Sequence, residues 1–203
     1  MIAIIDYGLG NIKAFQNIYN QLNLECVVAR DAETLRNASK IILPGVGSFD
    51  FAMLSLINSG MKDTLDELVL SKNMPILGIC VGMQMLANSS EEGNLDGLGY
   101  VDGSVKKFNR EQIADYPLPH MGWNEVKHDE QDHLFTNISN VERFYFLHSY
   151  YFECDQELHK IASAEYGIKF TCGVRNKNVY GVQFHPEKSH DAGIGLLSNF
   201  GSM

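Results

Sequence analysis

Two short segments, far apart in the sequence, carry residue types that together could perform nucleophilic catalysis. Cys80 lies between Gly78 and Gly82, where an apolar run ends and helical spacing begins. We therefore expect the thiol at a sharp strand-to-helix turn, a nucleophile elbow. The N–H groups that begin such a helix favour the thiolate, the attacking form of cysteine. His185 and Glu187 supply an imidazole base and a carboxylate to orient it, so the residues predict a Cys-His-Glu triad.

Each segment has a simpler explanation when it is taken alone. Cys80 could be a small buried apolar residue, the usual fate of an unpaired intracellular cysteine, and residues 185–187 could form a solvated loop. A third segment, residues 44–49, follows an apolar run, and its glycines would let backbone N–H groups turn outward toward an oxyanion. Alone, this segment could be an ordinary turn between a strand and a helix. The joint occurrence of all three segments at strand ends favours catalysis.

The first half of the chain has the pattern of an α/β fold. Continuous apolar runs predict buried parallel strands at residues 1–5, 25–28, 40–43 and 76–80. Three- and four-residue spacing predicts helices at residues 12–22, 33–37, 51–57, 65–70 and from 81 to about 88. A dinucleotide site at Gly8-x-Gly10 is disfavoured, because Lys13 occupies the position of the third glycine.

The second half is predicted to be antiparallel. Short β-like pieces follow Gly93, an aromatic strand is predicted over residues 144–152, and hairpin-like turns join strands at 161–164, 169–174 and 179–184. Residues 117–124 are predicted as a loop and residues 191–200 as a final helix. The predicted fold is one α/β domain, residues 1–203, with a central, largely parallel mixed sheet flanked by helices and an antiparallel strand region in the C-terminal half.

The composition restricts the classes of partner and cofactor that we expect. The 203 residues, 45% of them hydrophobic, can bury the core of one domain, and a net charge of −9 disfavours nucleic acid or an anionic membrane surface as a partner. The four cysteines lie far apart with no C-x-x-C, so we expect neither a metal site nor a disulfide framework. No basic N-terminal segment or apolar run of ~18 residues is present. We expect a cytoplasmic protein without a cofactor.

At these segments the sequence resembles the class I, or triad, glutamine amidotransferases. Residues 78–84 are similar to the nucleophile motif of that family, and residues 183–187 are similar to its His/Glu motif. Within the family, residues 6–11, 44–49, 118–124 and 187–189 resemble the glutaminase subunits of the histidine pathway. Val81 and Met85 stand where leucine is commoner, and neither change touches an expected polar role.

The resemblance implies that Cys80 attacks the side-chain amide of L-glutamine and that His185, oriented by Glu187, protonates the departing ammonia. Water would then hydrolyse the γ-glutamyl thioester. The implied oxyanion hole comprises Gly45, Val46 and Val81. The implied glutamine pocket comprises Gly47, Gln84, His148, Ser149 and Tyr150.

The chain has no residues left over for a domain that binds the ammonia acceptor, so we expect a partner. The resemblance implies a heterodimer with a (β/α)₈-barrel cyclase subunit, which would receive ammonia through a tunnel. The implied interface residues, which could instead be ordinary surface or core residues, are Asn11, Met121, Trp123, Tyr145 and Lys188. Three alternatives stay open: a paralogous glutaminase serving nucleotide-sugar or surface-polysaccharide biosynthesis, a cysteine peptidase of the same elbow architecture, and a non-enzymatic binding module.

Overall fold

The computed structural model describes residues 1–113 and 115–203, and its first half alternates strands with helices. The strands are β1 (Ile2–Ile5), β2 (Cys26–Ala29), β3 (Lys40–Gly45) and β4 (Ile76–Cys80). The helices are α1 (Ile12–Gln21), α2 (Ala32–Arg36), α3 (Phe49–Asn58), α4 (Lys62–Asp66) with a π-helical turn at Glu67–Ser71, and α5 (Val81–Gln84). Every residue of β1 and β4 is buried, which explains why these strands are uninterrupted apolar runs.

The second half consists mainly of strands and ends in a helix. These strands are β5 (Ser89–Ser90), β6 (Gly103–Lys107), β7 (His120–Glu125), β8 (Lys127–His128), β9 (Arg143–His148), β10 (Tyr150–Cys154), β11 (Lys160–Tyr166), β12 (Ile168–Asn176) and β13 (Val179–Val182). The final helix is α6 (His190–Ser202), and a 3-10 turn at Pro186–Lys188 precedes it.

Within the described residues, the strands form an 11-stranded mixed sheet and a separate two-stranded sheet. The order of the large sheet is β2-β1-β3-β4-β13-β12-β10-β6-β5, with β11 on β12 and β8 on β11. Strands β2, β1, β3, β4 and β13 pair in parallel, and β12 begins the antiparallel part. Strands β7 and β9 pair with each other, antiparallel, and form the small sheet. The predicted fold class is therefore confirmed.

The predicted aromatic strand over residues 144–152 is wrong, because two strands occupy this segment. β9 pairs with β7 in the small sheet, whereas β10 pairs with β6 and β12 in the large sheet, and the chain changes sheets at Ser149. The predicted loop over residues 117–124 is also wrong in part, since β7 begins at His120 to pair with β9.

The helix predicted after Cys80 is shorter than expected and ends at Gln84. The carbonyl oxygens of Met85 and Leu86 accept hydrogen bonds from the N–H groups of Leu98 and Tyr100, at 2.7 and 2.9 Å. Those carbonyls are therefore paired with a distant segment and are not available to continue the helix. Among the residues that the structure describes, we find no helix with the length and apolar character needed to span a bilayer.

Candidate active site

Cys80 occupies the predicted elbow. It is the last residue of β4 and is followed directly by α5, and its φ of +57° and ψ of −115° place it in a strained part of backbone space. Both flanking glycines are needed for close packing. A Cβ on Gly82 would overlap the carbonyl oxygen of Leu43, and a Cβ on Gly78 would lie 2.6 Å from the carbonyl oxygen of Gly82. The prediction of a strand-to-helix turn bracketed by glycines is confirmed.

His185 and Glu187 lie together beside Cys80. The imidazole Nδ1 of His185 is 3.0 Å from Oε1 of Glu187, and both side chains are buried. The 3-10 turn that begins at Pro186 brings the carboxylate back to the ring. Burial disfavours the imidazolium, but hydrogen bonds and charges from Cys80 and Glu187 outweigh burial and raise the pKa of His185 to about 10. The surroundings of His185 therefore stabilise its protonated form.

A cavity of about 310 Å³ opens above Cys80. The five residues predicted to bind substrate all line it, together with Val46, Val81 and His185. Gly45 lies behind this lining, where its missing Cβ leaves room for the backbone of Gly82. In the described part of the chain, no group of three His, Cys, Asp or Glu side chains is arranged to hold a metal ion. The structure thus brings the expected nucleophile, base, N–H donors and pocket residues to one cavity.

Two charged side chains, Glu92 and Lys188, also line the cavity. The Glu92 carboxylate accepts a hydrogen bond from the N–H of Phe49, the first residue of α3, at 2.9 Å. Burial raises the pKa of Glu92, and the nearby charge of Asp50 acts in the same direction, although the Phe49 hydrogen bond opposes both. Sequence analysis missed Glu92, because an acidic residue in a polar turn has no distinguishing local pattern.

Residues 44–47, the last two residues of β3 and the two that follow, are here called the glycine loop, and they contact the loop before α1. The Tyr7 hydroxyl donates a hydrogen bond to the carbonyl oxygen of Pro44 at 2.6 Å. A Cβ on Gly10 would lie 2.7 Å from Cβ of Pro44, so only glycine fits there without displacing the proline. Gly47 has a φ of +87°, which favours glycine. The conformation of the glycine loop therefore depends on its hydrogen bond and packing with residues 7–10.

Four of the five predicted interface residues form one surface beside the cavity. Met121 and Trp123 are 65% and 38% exposed on β7. The Trp123 ring contacts Tyr145 edge to face, with centroids 6.1 Å apart, and Nζ of Lys188 lies 5.7 Å from the centre of the Tyr145 ring. Asn11, the fifth, is exposed before α1, and no hydrogen bond or ring contact of the described residues joins it to the other four.

The family of the chain follows from comparison with known proteins. Residues 3–201 match the model of the family described as "Glutamine amidotransferase class-I". A crystal structure of a glutamine amidotransferase has the same fold, with a TM-score of 0.74, 18% identity and 98% of both chains covered. A structure of PurLQS from Thermotoga maritima has a TM-score of 0.74 at 17% identity, covering 98% of this chain and 96% of that one. The chain belongs to the class-I glutamine amidotransferases.

Relatives of higher identity define a branch within this family. The imidazole glycerol phosphate synthase subunit HisH of Bdellovibrio bacteriovorus is 57% identical over 201 residues, with 98% of both chains covered. The HisH subunit of Leptospira borgpetersenii is 51% identical over 205 residues and covers 100% of both chains. The HisH 2 subunit of Methanococcus maripaludis is 45% identical over 200 residues, with 98% of both covered. These full-length identities place the chain in the HisH branch.

Proposed function

We propose that this chain hydrolyses L-glutamine to glutamate and ammonia through a thioester on Cys80. The observation that carries the proposal is the convergence of Cys80, the His185–Glu187 pair and the glycine loop on one cavity. Membership of the class-I glutamine amidotransferases supports glutamine as the substrate and disfavours the peptidase and binding-module alternatives.

The reaction has two steps. The Cys80 sulfur attacks the side-chain amide carbon of glutamine, the C–N bond breaks, and His185 gives its proton to the departing ammonia. Water then attacks the thioester while His185 accepts its proton, and the S–C bond breaks to release glutamate. Glu187 holds Nδ1 of His185 throughout, at 3.0 Å. We assign the developing oxyanion to N–H groups of Val81 and of the glycine loop.

The charges of the cavity match a free amino acid. L-Glutamine carries an α-ammonium and an α-carboxylate, and Glu92 and Lys188 supply the opposite charges on the cavity wall. A volume of about 310 Å³ lies at the small end of ligand pockets, which suits one amino acid better than a peptide. We assign contacts with the polar groups of glutamine to Gln84, Ser149 and the neighbouring backbone.

We propose further that ammonia passes to a (β/α)₈-barrel cyclase subunit in a cytoplasmic heterodimer of the histidine pathway. The names of the 45–57% identical relatives, each a subunit of imidazole glycerol phosphate synthase, support this assignment over a polysaccharide pathway. The surface formed by Met121, Trp123, Tyr145 and Lys188 adjoins the cavity and is our candidate docking face, with Asn11 at its periphery.

Glutamate release from glutamine tests both parts of the proposal. We would compare the chain alone, the chain with the cyclase subunit and its nucleotide ligand, and a Cys80→Ser variant under both conditions. We expect strong stimulation by the cyclase that Cys80→Ser abolishes. Glutamate release that depends on Cys80 but is not stimulated by the cyclase would refute the proposed partner and support the glutaminase activity. Turnover that survives in Cys80→Ser would refute the mechanism.

The substrate assignment has a separate test in Glu92→Gln, which keeps the side-chain shape and removes its charge. Loss of a charge-assisted hydrogen bond of about 1.5–3 kcal/mol predicts a KM for glutamine raised by about 10- to 150-fold, with a smaller effect on kcat. Asp96→Asn is the control, since Asp96 lies in the same segment but outside the cavity lining. An unchanged KM in Glu92→Gln would exclude Glu92 as the partner of the α-ammonium.

A further inference from the structure

We propose that Gln183 is a further catalytic residue, whose carboxamide N–H donates a hydrogen bond to the sulfur of Cys80 and stabilises the thiolate. The proposal rests on Cys80 being the nucleophile. Gln183 follows β13 directly and is completely buried. Its Nε2 lies 3.8 Å from Sγ of Cys80, and its Oε1 lies 3.0 Å from Nε2 of Gln84. A buried carboxamide thus bridges the nucleophile and a residue of the glutamine pocket.

The orientation of the Gln183 amide decides the proposal, because its oxygen would repel a thiolate where its nitrogen attracts one. The neighbouring hydrogen bonds determine that orientation. The carbonyl oxygen of Tyr150, which can only accept, lies 3.2 Å from the same Gln84 nitrogen that contacts Gln183. That Gln84 atom must therefore be the NH₂ group. It donates to both neighbours, so the Gln183 atom facing it is the oxygen, and the Gln183 NH₂ faces Cys80.

The Tyr150 carbonyl contacts one buried histidine, His148, which in turn contacts a second, His120. Nδ1 of His148 lies 2.7 Å from this oxygen, and Nε2 of His148 lies 2.8 Å from Nδ1 of His120. Nε2 of His120 in turn faces Nδ2 of Asn124 at 3.3 Å. Because the carbonyl accepts from His148, a neutral His148 must accept from His120, and a neutral His120 must accept from Asn124.

Both histidines are neutral around physiological pH. Burial lowers the pKa of His120 to about 4, and burial with the adjacent His120 charge lowers the pKa of His148 to about 3. The hydrogen bonds from Asn124 to the Tyr150 carbonyl therefore have a single direction. Donors from His148 and Gln84 meet at this oxygen. The same Gln84 NH₂ group also donates to Gln183, whose NH₂ group faces the sulfur.

The consequence for chemistry is a higher thiolate population at Cys80. An N–H donor is attracted more strongly to a thiolate than to a thiol, so removing the Gln183 donor should disfavour the thiolate. At an N···S distance of 3.8 Å the bond belongs to the weaker charge-assisted class, so its loss should move the pH midpoint of Cys80 alkylation by about one pH unit.

The test is the pH profile of Cys80 alkylation by iodoacetamide in the full chain, with the labelled peptide identified by mass spectrometry. Gln183→Met keeps the length of the side chain and removes the N–H, and Gln183→Glu places a carboxylate oxygen beside the sulfur. We expect the midpoint to rise by about one pH unit in Gln183→Met and by more in Gln183→Glu. Gln131→Met, at an exposed glutamine, should match the parent chain.

Alkylation needs no glutamine turnover, so its outcome is independent of the proposed function. Profiles of both Gln183 variants that coincide with that of the parent chain would overturn the proposal, even if Cys80→Ser abolishes glutaminase activity. Raised midpoints in a chain without glutaminase activity would support the role of Gln183 and refute the proposed function. Cooperative urea unfolding of each variant establishes that it is folded, and Gln183→Glu, which has the shape of glutamine, serves if Gln183→Met does not fold.

Discussion

Replacing His148 by Asn should make the folded protein less sensitive to acid. Burial, assisted by the neighbouring His120, lowers the pKa of His148 from 6.5 to about 3. The unfolded chain binds a proton at this residue near its ordinary pKa, whereas the folded chain does not. Keeping His148 neutral therefore costs the folded protein nothing above about pH 6.5. The free energy of unfolding falls as the pH drops from 6.5 toward 3.

The size of this effect follows from the pKa difference. Each pH unit between the two pKa values changes the free energy of unfolding by about 1.4 kcal/mol, so at about pH 5 the loss is about 2 kcal/mol. Asn keeps an N–H that can reach the Tyr150 carbonyl but binds no proton. The variant loses ring contacts with Phe108 and Phe170, at 5.5 and 5.2 Å, and will be less stable at neutral pH. Its further loss of stability in acid should be smaller.

Urea unfolding of the parent chain and of His148→Asn at about pH 7.5 and about pH 5 measures this difference. We expect the parent to lose about 2 kcal/mol more than the variant between the two conditions. Groups that titrate in both proteins, including His185 with its raised pKa, cancel in the comparison. His133→Asn is the control at an exposed histidine and should follow the parent. Equal losses in the parent and His148→Asn would refute the reasoning.

Three further predictions concern other parts of the structure. Glu187→Gln should lower kcat for glutamate release, measured with the cyclase subunit, by about 10²–10⁴-fold, and a loss under fivefold would contradict its orienting role. Gly82→Ala should lower the free energy of urea unfolding by about 3 kcal/mol or more, because its Cβ would overlap a backbone carbonyl. Gly195→Ala on α6, whose Cβ would make only an ordinary contact with Ile138 at 4.0 Å, should raise it by about 0.5–1 kcal/mol, and equal effects would contradict the packing argument. Asp132→Asn should destabilise the fold by about 2 kcal/mol, since its buried carboxylate accepts from Arg175 at 2.9 Å; an unchanged urea midpoint would show that the pair contributes nothing.

The parallel half of the fold and the triad segments could be predicted because their signals are local. Strands buried on both faces are continuous apolar runs, as in β1 and β4. Neighbouring parallel strands end at the same edge of the sheet, so residues at or just beyond the ends of β4 and β13 converge there, as Cys80 and His185 do. Glycines at positions 78 and 82 indicate the strand-to-helix turn in the sequence, because no larger residue fits at either position.

The remaining features depend on contacts between segments that are distant in sequence. Aromatic residues are frequent on both sides of Ser149, so the sequence does not reveal that β9 and β10 join different sheets. Hydrogen bonds from residues 97–101 end α5, and the helix propensity of the residues in α5 contains no information about such distant partners. Glu92 gains its place in the cavity from a contact with α3, and the orientation of Gln183 follows from the Tyr150 carbonyl.

Because Cys80 has a positive φ, the residue that would make the fold most stable at position 80 differs from the residue that catalysis requires. A residue with a side chain in this backbone conformation lowers the free energy of unfolding by about 1–3 kcal/mol, and glycine would not incur this loss. A library of variants sorted only for survival at high temperature should therefore become enriched in glycine at position 80, and each such chain would lack the thiol. Sorting for heat resistance and for glutamate release should favour opposite residues at this position.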